Sequence, residues 1–432
     1  MFPYYLDRAW RSLRRDVGLT LLMVVAIGVG VGASMTTLTV LHVLSADPIP
    51  EASHQLYAVQ LDPRPALGMD PGEEPSDQLT RTDAEALVRA ARGKRQAMMS
   101  GGSAAIEPQT AGLAPFRVDA RWTSADFFPM FRVPFVAGGP WSAADDAANA
   151  RVVVITRALA EKLFGQIDVV GRSIRVETGD LRIVGVLDSW SVNPHFYDLH
   201  QGTYGQSEQL FAPFSTSREL KFGVDGSLDC WENADDPHGL GAPCVWVQFW
   251  VELEDAAAAD AYRDFLVGYS DDQRKAGRYQ RPPNVRLRDV PDWLDVQKVV
   301  PSDARLQTWV ALGFLFVCLI NTVGLLLTKF LRHGAEIGVR RAVGASKRSI
   351  FAQLLVEAGL VGVAGGALGL GLAYLGLWAV RQQPTDYAEL AHLDLPMLFA
   401  TIALAVVSSL CAGLLPAWRG CQLTPAIQLK SH

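Results

Sequence analysis

Four apolar runs constrain this 432-residue chain more than any other feature: Val17–Leu44, Leu306–Leu331, Ile350–Val380 and Leu395–Pro416. Each is long enough to cross a bilayer, which takes about 20 mostly apolar residues. Backbone polar groups in lipid must be bonded within their own segment, so such runs are expected as helices. A single soluble domain carrying four of them would have little polar surface left. The first run follows Arg8, Arg11, Arg14 and Arg15, which resembles the charged start of a signal peptide. Its apolar core is too long for one, however, and Leu44-Ser45-Ala46 is a poor cleavage site. A retained anchor is therefore expected.

The placement of Lys and Arg sets orientation. Lys329, Arg332, Arg340, Arg341, Lys347 and Arg348 cluster between the second and third runs, and Arg419 and Lys430 follow the fourth. Between the third and fourth runs, Arg381 stands against Asp386, Glu389 and Asp394. The expected order is an amphipathic cytoplasmic helix over 1–16, a span over 17–45 and an outer domain over 46–304. A span over 305–331, a cytoplasmic loop over 332–349 and a span over 350–380 follow. A short outer loop over 381–394, a span over 395–416 and a cytoplasmic tail over 417–432 complete it. That describes a multi-pass protein of the cytoplasmic (inner) membrane, with both termini cytoplasmic and the large domain periplasmic or extracellular.

The outer segment, roughly 260 residues, is large enough for a domain or two with real cores. It holds 25 of the 39 Lys and Arg and 38 of the 45 Asp and Glu, so it is acidic while the inner face is basic. Nucleic-acid binding wants a basic stripe and is not expected. Thr82-Asp83-Ala84-Glu85 has capping-box spacing before an apolar stretch and predicts a helix start. Arg151–Ile155 reads as a strand, with Thr156 capping a helix that stops near Gly165. Ser173–Glu177 and Leu181–Leu187 flank a turn signal at Thr178-Gly179-Asp180. This order predicts a small mixed α/β sheet with helices packed on one side. Residues 189–245 differ in character and read as an inserted second subdomain. Their aromatics, with Trp246 and Trp250, could fill a core or line a groove, core being the commoner use. Phe249–Leu253 is expected to re-enter the first subdomain as a strand, with a helix over Asp255–Val267 after it. Cys230 and Cys244 stand in a loop-rich outer stretch where a disulfide could persist, with two free buried thiols as the alternative.

From Asn321 to Leu372 the chain resembles the permease family of MacB and FtsX, the type VII ABC transporter fold. The resemblance rests on Asn321, the segment Glu336-Ile337-Gly338-Val339-Arg340-Arg341-Ala342-Val343-Gly344-Ala345-Ser346, Gln353 with Glu357-Ala358, and Gly365, Gly366 and Gly369. Leu415–Arg419 and Leu423–Leu429 are similar to the family's closing motif. Phe127–Gly138, Val152–Gly165 and Val170–Val186 look like its periplasmic core domain. The resemblance implies two permease chains, as a homodimer or a pseudo-symmetric heterodimer, docked on two copies of a cytoplasmic ABC ATPase. It also implies a possible periplasmic adaptor and contact with membrane lipids. The 332–349 loop would be the coupling helix, with Glu336, Ile337, Gly338, Arg340, Arg341, Gly344, Ala345 and Ser346 as the ATPase-coupling residues. Glu336 and Arg340 can pair along one helical face, Ile337 and Val343 can present an apolar contact, and Gly344 can stop the helix. The N-terminal segment Tyr5–Arg15, with Leu6, Trp10 and Leu13 on one side, reads as a helix on the inner leaflet.

The 432 residues contain no G-x-x-x-x-G-K-[ST] phosphate loop, so ATP and Mg are expected on a partner ATPase and no cofactor on this chain. They also contain no H-E-x-x-H, no Cys/His metal spacing and no G-x-S-x-G elbow, so neither a catalytic residue nor a metal site is assigned. Asp145-Asp146, Asp235-Asp236 and Asp271-Asp272 read as solvated loop charges. Asn321 and Glu357 are the candidate membrane-embedded polar residues, since carboxylates in spans default to a functional hypothesis. For Glu357, pairing, capping or snorkelling is the alternative. Gly28, Gly30, Gly32, Gly362, Gly366 and Gly369 would allow close helix approach, within the chain or between two chains. The expected function is permease-mediated export or extrusion of a peptide, antibiotic or lipid-linked substrate by mechanotransmission. FtsX-like control of a cell-wall hydrolase and lipoprotein release are the alternatives.

Overall fold

A computed structural model describes residues 2–67, 70, 72–108, 112–204, 207–384 and 387–422. Asp386, the side chain of Leu6, the 423–429 part of the closing motif and Lys430 lie outside the described residues. The chain divides into two compact units, Met1–Ser45 with Val300–His432, and Ala46–Val299.

The first unit is helical. A helix over Phe2–Arg15 precedes four helices long and apolar enough to cross a membrane: Val17–Leu44, Ser302–Arg332, Lys347–Arg381 and Leu395–Gln422, here spans 1 to 4. Most of the expected glycines are used inside the chain. A Cβ on Gly32 would stand 2.7 Å from the Leu372 side chain and 3.1 Å from the Gly369 carbonyl, so spans 1 and 3 pack backbone to backbone there. Gly30 meets Leu315 and Cys318 of span 2 in the same way. A Cβ on Gly362 would lie 2.3 Å from Ser409 Cβ, which closes span 3 on span 4. The Ser409 hydroxyl then donates to the Ala358 carbonyl across that contact.

The second unit is one mixed sheet with helices. Among the described residues its strands are β1 (Leu56–Gln60), β2 (Leu79–Thr80), β3 (Arg95–Glu107), β4 (Phe116–Thr123), β5 (Phe135–Gly138) and β6 (Val152–Thr156). They continue as β7 (Ser173–Val176), β8 (Gly179–Leu187), β9 (Leu210–Pro213), β10 (Asp229–Cys230), β11 (Cys244–Glu252) and β12 (Arg286–Asp289). The main order is β12-β1-β11-β3-β4-β9-β6-β8-β5. β4/β9 and β6/β8 run parallel, and the remaining neighbours antiparallel.

Alternation along the strands feeds two cores. Val59, Val153 and Ile155 face one side, where Leu87, Leu159 and Leu266 of the helices Arg81–Ala90, Arg157–Phe164 and Ala256–Lys275 pack. Ala58, Val152 and Val154 face the other. There Phe127, Phe128, Phe131, Phe196, Tyr197, Trp250 and Trp293 form a buried aromatic layer with mainly edge-to-face contacts. Residues 189–245, read from sequence as an inserted subdomain, thread this same sheet and core. β9 lies between β4 and β6, and Phe196 and Tyr197 belong to the aromatic layer. Of the aromatics weighed between core and groove, Trp246, Trp250, Phe196 and Tyr197 are core.

Two local readings shift. The helix expected from Thr82 starts two residues earlier: Thr80 is its cap, accepting from the Asp83 amide at 3.1 Å and pairing with the Asp83 carboxylate at 2.6 Å. Thr82 instead accepts from the Gly241 amide. The hairpin turn falls on Glu177 and Thr178, not 178–180, because Val176 pairs directly with Gly179. Cys230 and Cys244, opposite each other in β10 and β11, are disulfide-bonded.

Candidate functional site

The segment between spans 2 and 3 folds as a short helix, a tight reversal and a new helix start. Gly334–Ala342 is helical. After it the Gly344 amide donates to the Arg341 carbonyl at 3.2 Å and the Ala345 amide to the Arg340 carbonyl at 3.0 Å, the two bonds of a Schellman stop. Gly344 has φ +106°, a conformation that side-chain-bearing residues rarely adopt. Ser346 then caps span 3, its hydroxyl accepting from the Ser349 amide at 3.2 Å. Reversal and cap together leave no slack between the loop helix and span 3.

Charges fix the loop helix to the N-terminal helix. Glu336 pairs with Arg340 one turn on, and also lies 3.7 Å from Arg8 and 3.6 Å from Arg15. Arg340 donates to Gln353 of span 3 at 2.9 Å. The Tyr5 and Ser349 hydroxyls hydrogen-bond at 3.0 Å. Below them a cavity of about 290 Å³ is lined by Arg8, Ser12, Arg15, Glu336, Arg340 and Glu357, among others.

Glu357 is not a free carboxylate. It pairs with Lys329 of span 2 at 2.6 Å, with the two side chains 4% and 0% exposed. Ser12 donates to the same carboxylate at 2.7 Å, and Lys329 Nζ lies 3.5 Å from Thr20 Oγ1. Four helices thus meet on one buried ion pair. In the sequence Lys329 stands among the loop charges and Ser12 carries no signal of a role. A lone Lys at the end of an apolar run ordinarily snorkels to the interface, and nothing in the 28-residue separation marks it as a partner of Glu357.

The other predicted residues divide. Ile337, expected to offer an apolar contact together with Val343, is buried in the helical core, whereas Val343 is 85% and Val339 57% exposed. A nine-residue helix lying on the bundle turns one face inward, so the outward apolar pair is Val339 and Val343, four apart. Gly338 is buried, Arg341 and Ala345 are half-buried, and Ser346 is exposed. Asn321 is exposed on span 2 and is not brought to this cluster. On the N-terminal helix Leu13 packs on the helical core, while Trp10 is half-exposed beneath Arg14, whose guanidinium lies 4.9 Å from the ring centroid.

The outer domain holds a second charge cluster that sequence reading missed. Arg121, 1% exposed, donates to Asp198 at 2.6 Å and to Glu208 at 2.8 Å, and Tyr197 donates to Glu208 at 2.9 Å. Burial pushes the Glu208 carboxyl up, and the adjacent Arg121 charge more than offsets this, so it stays below the usual range. Asp146 lies in the opposite regime. It is not the solvated loop charge expected, since burial pushes it up to about 6 despite bonds from the Ala125 amide and Trp141. Among the described residues, no group of three or more His, Cys, Asp or Glu could hold a metal ion.

Four helices long and apolar enough to cross a membrane, with a mixed α/β domain between the first and second, describe a multi-pass membrane protein. Residues 20–267 match the MacB-like periplasmic core domain and residues 309–425 the FtsX-like permease C-terminal domain, so the chain belongs to the MacB/FtsX-type family of ABC transporter permeases. It is 25% identical over 319 residues, 73% of this chain and 43% of the relative, to a macrolide export ATP-binding/permease protein MacB of Azoarcus sp.. With MacB of Rhodospirillum rubrum it shares 27% over 457 residues, 100% of this chain and 61% of the relative. With a pyoverdine export ATP-binding/permease protein PvdT of Pseudomonas entomophila it shares 25%, covering 71% of this chain and 42% of the relative. The chain spans about half the length of the curated relatives it matches. The periplasmic region of MacB from Actinobacillus actinomycetemcomitans aligns with 59% of this chain and 96% of its own at 12% identity and a TM-score of 0.37.

Proposed function

We propose that this chain is the membrane subunit of an ABC exporter, and that the Glu336–Ser346 segment receives force from cytoplasmic ATPase subunits and passes it into the bundle. The observation that carries this reading is the loop helix itself. Glu336 is held by arginines from two helices while Val339 and Val343 are left exposed beside them. A rigid, basic-rimmed knob with an apolar tip suits a protein partner better than a flexible loop would. The Schellman stop and the Ser346 cap would transmit a push on that knob directly to span 3, and the Lys329–Glu357 pair would carry it to span 2.

In this account two permease chains, identical or pseudo-symmetric, dock on two ATPase copies that bind ATP and Mg. Both termini and the loop are placed in the cytoplasm, a placement supported by the clustering of Lys and Arg in these segments. Closing of the ATPases moves the outer domains, which act on substrate already outside the membrane, with or without a periplasmic adaptor. The curated relatives named for macrolide and pyoverdine export support export of a small molecule or peptide as the output.

The test is substitution at Glu336 and Arg340, each to Ala, in the chain reconstituted with its ATPase. Export should fall at least ten-fold while the protein remains folded and in the membrane, with ATP turnover persisting uncoupled. Unchanged export in both variants would refute the coupling assignment.

A further inference from the structure

The outer domain contains a cavity of about 660 Å³ beside the helix Arg81–Ala90 and the short helix Phe214–Glu219. Small-molecule sites commonly enclose about 300–1,000 Å³ with mostly apolar walls and a few convergent polar groups. Here Val88, Met98 and Phe214 supply apolar wall. The acids at the rim all have donors of their own. Glu85 accepts from Arg81 at 2.8 Å and Arg89 at 3.3 Å, and Asp146 from the Ala125 amide at 2.7 Å and Trp141 at 2.8 Å. Glu219 lies 3.8 Å from Arg151.

Arg218 is different. Among the described residues no carboxylate lies within 4.0 Å of its guanidinium. Its Nη2 donates to the Phe222 carbonyl at 2.7 Å and its Nε to Ser217 Oγ at 3.3 Å. The guanidinium carbon stands 5.6 Å from the Trp246 ring centroid and 6.0 Å from that of Phe214. Nη1 makes no hydrogen bond with the described residues, and Arg218 is one of the residues that line the cavity. Burial, and secondarily the Arg81 charge, push this guanidinium down to about 10, and the more distant Asp236 carboxylate opposes them only in part. A half-buried guanidinium with no carboxylate in contact is costly, and such charges are normally paired. Guanidinium edges match carboxylate and phosphate oxygens in geometry as well as charge.

We propose that this cavity binds a small amphipathic anion, its carboxylate or phosphate head held by Arg218 and its apolar body against Val88, Met98 and Phe214. The site is independent of the loop helix, so the failure of either reading leaves the other standing.

The test is calorimetric titration of the full chain in lipid nanodiscs with 4-phenylbutyrate and with phenyl phosphate. The alcohol 4-phenylbutanol and the amine 4-phenylbutylamine serve as neutral and cationic controls. One or both anions should bind at least ten-fold more tightly than either control, and the stronger one identifies the head group. Arg218→Met should weaken anion binding at least ten-fold, while Arg218→Lys, which keeps the charge, should retain part of it. Because Arg218 makes no ion pair with the described residues, Arg218→Met should leave the melting midpoint without ligand unchanged or raised, whereas a merely structural arginine would lower it. If Arg218→Met does not fold, Val88→Asp, which adds a negative charge to the wall, should abolish anion binding. Anion binding no tighter than the alcohol, undiminished binding in folded Arg218→Met, or undiminished binding in Val88→Asp would overturn the proposal.

Discussion

Removing one partner of the Lys329–Glu357 pair should damage the helical unit far more than removing both. At 2.6 Å their mutual attraction is about 6 kcal/mol at an effective dielectric constant of about 20. Desolvation of two nearly inaccessible charges offsets most of that, so the intact pair is worth little against apolar residues of similar size. Lys329→Met, however, leaves Glu357 buried with, among the described residues, only the Ser12 hydroxyl donating to it. An orphaned buried charge of this kind costs about 3–5 kcal/mol. For a unit of this size that corresponds to a fall in melting midpoint on the order of 10 °C. Glu357→Met should do the same to Lys329, which would keep only Thr20 among the described residues. The double variant Lys329→Met/Glu357→Met should recover to within about 2 kcal/mol of the parent. The assay is thermal unfolding of the detergent-solubilised chain, followed by the monodisperse fraction that survives heating, across the full double-mutant cycle. Single variants as stable as the parent, or a double variant as poor as the worse single, would refute the reasoning.

Other perturbations have defined signs. Asp146 titrates near 6 when folded against an ordinary 3.8, so folding favours its protonated form. The stability this gives, roughly 3 kcal/mol, is complete below about pH 4 and is lost as pH rises through about 6. Asp146→Asn should therefore flatten the stability profile between those pH values, as read by denaturant unfolding at a series of pH, and an unchanged profile would contradict the assignment. Cys230 and Cys244 close a loop with a sequence separation of 14, so Cys230→Ser/Cys244→Ser should cost about 3 kcal/mol, measured as a lower denaturation midpoint that the parent reproduces under reduction. Gly362→Val would force a side chain against Ser409 and should separate spans 3 and 4, lowering the folded yield in membranes, while Gly371→Val, where a Cβ would meet nothing within 4 Å, should not.

What could be read in the sequence was local or periodic. The spans declared themselves because an apolar helix needs no partner to be recognised. Thr156 and Gly165 marked the ends of one helix because a cap and a stop act within a few residues. At Thr80 the same logic placed the start two residues late, since Thr82 satisfies the spacing equally well and only the Gly241 amide shows that its hydroxyl is engaged elsewhere. Spacing by four paired Glu336 with Arg340, but it could not tell which face of a nine-residue helix turns inward, and Ile337 and Val343 part company on that point. The buried clusters were illegible for a different reason. Arg121 reaches Asp198 and Glu208 across 77 and 87 residues, and Lys329 reaches Glu357 across two membrane helices. Contacts at that separation leave no periodic trace in a single sequence.

The central claim, that the loop helix is where an ATPase grips this chain, is tested most directly by a photo-crosslinking amino acid placed at Val343. Val343 is 85% exposed at the tip of the loop, and Val363, 58% exposed within span 3, is the control position. With the ATPase co-expressed, Val343 should crosslink to it in a yield that changes between the nucleotide-free and ATP-bound states, and Val363 should not. Crosslinking to the ATPase from Val363 but not from Val343, or from neither, would contradict the account.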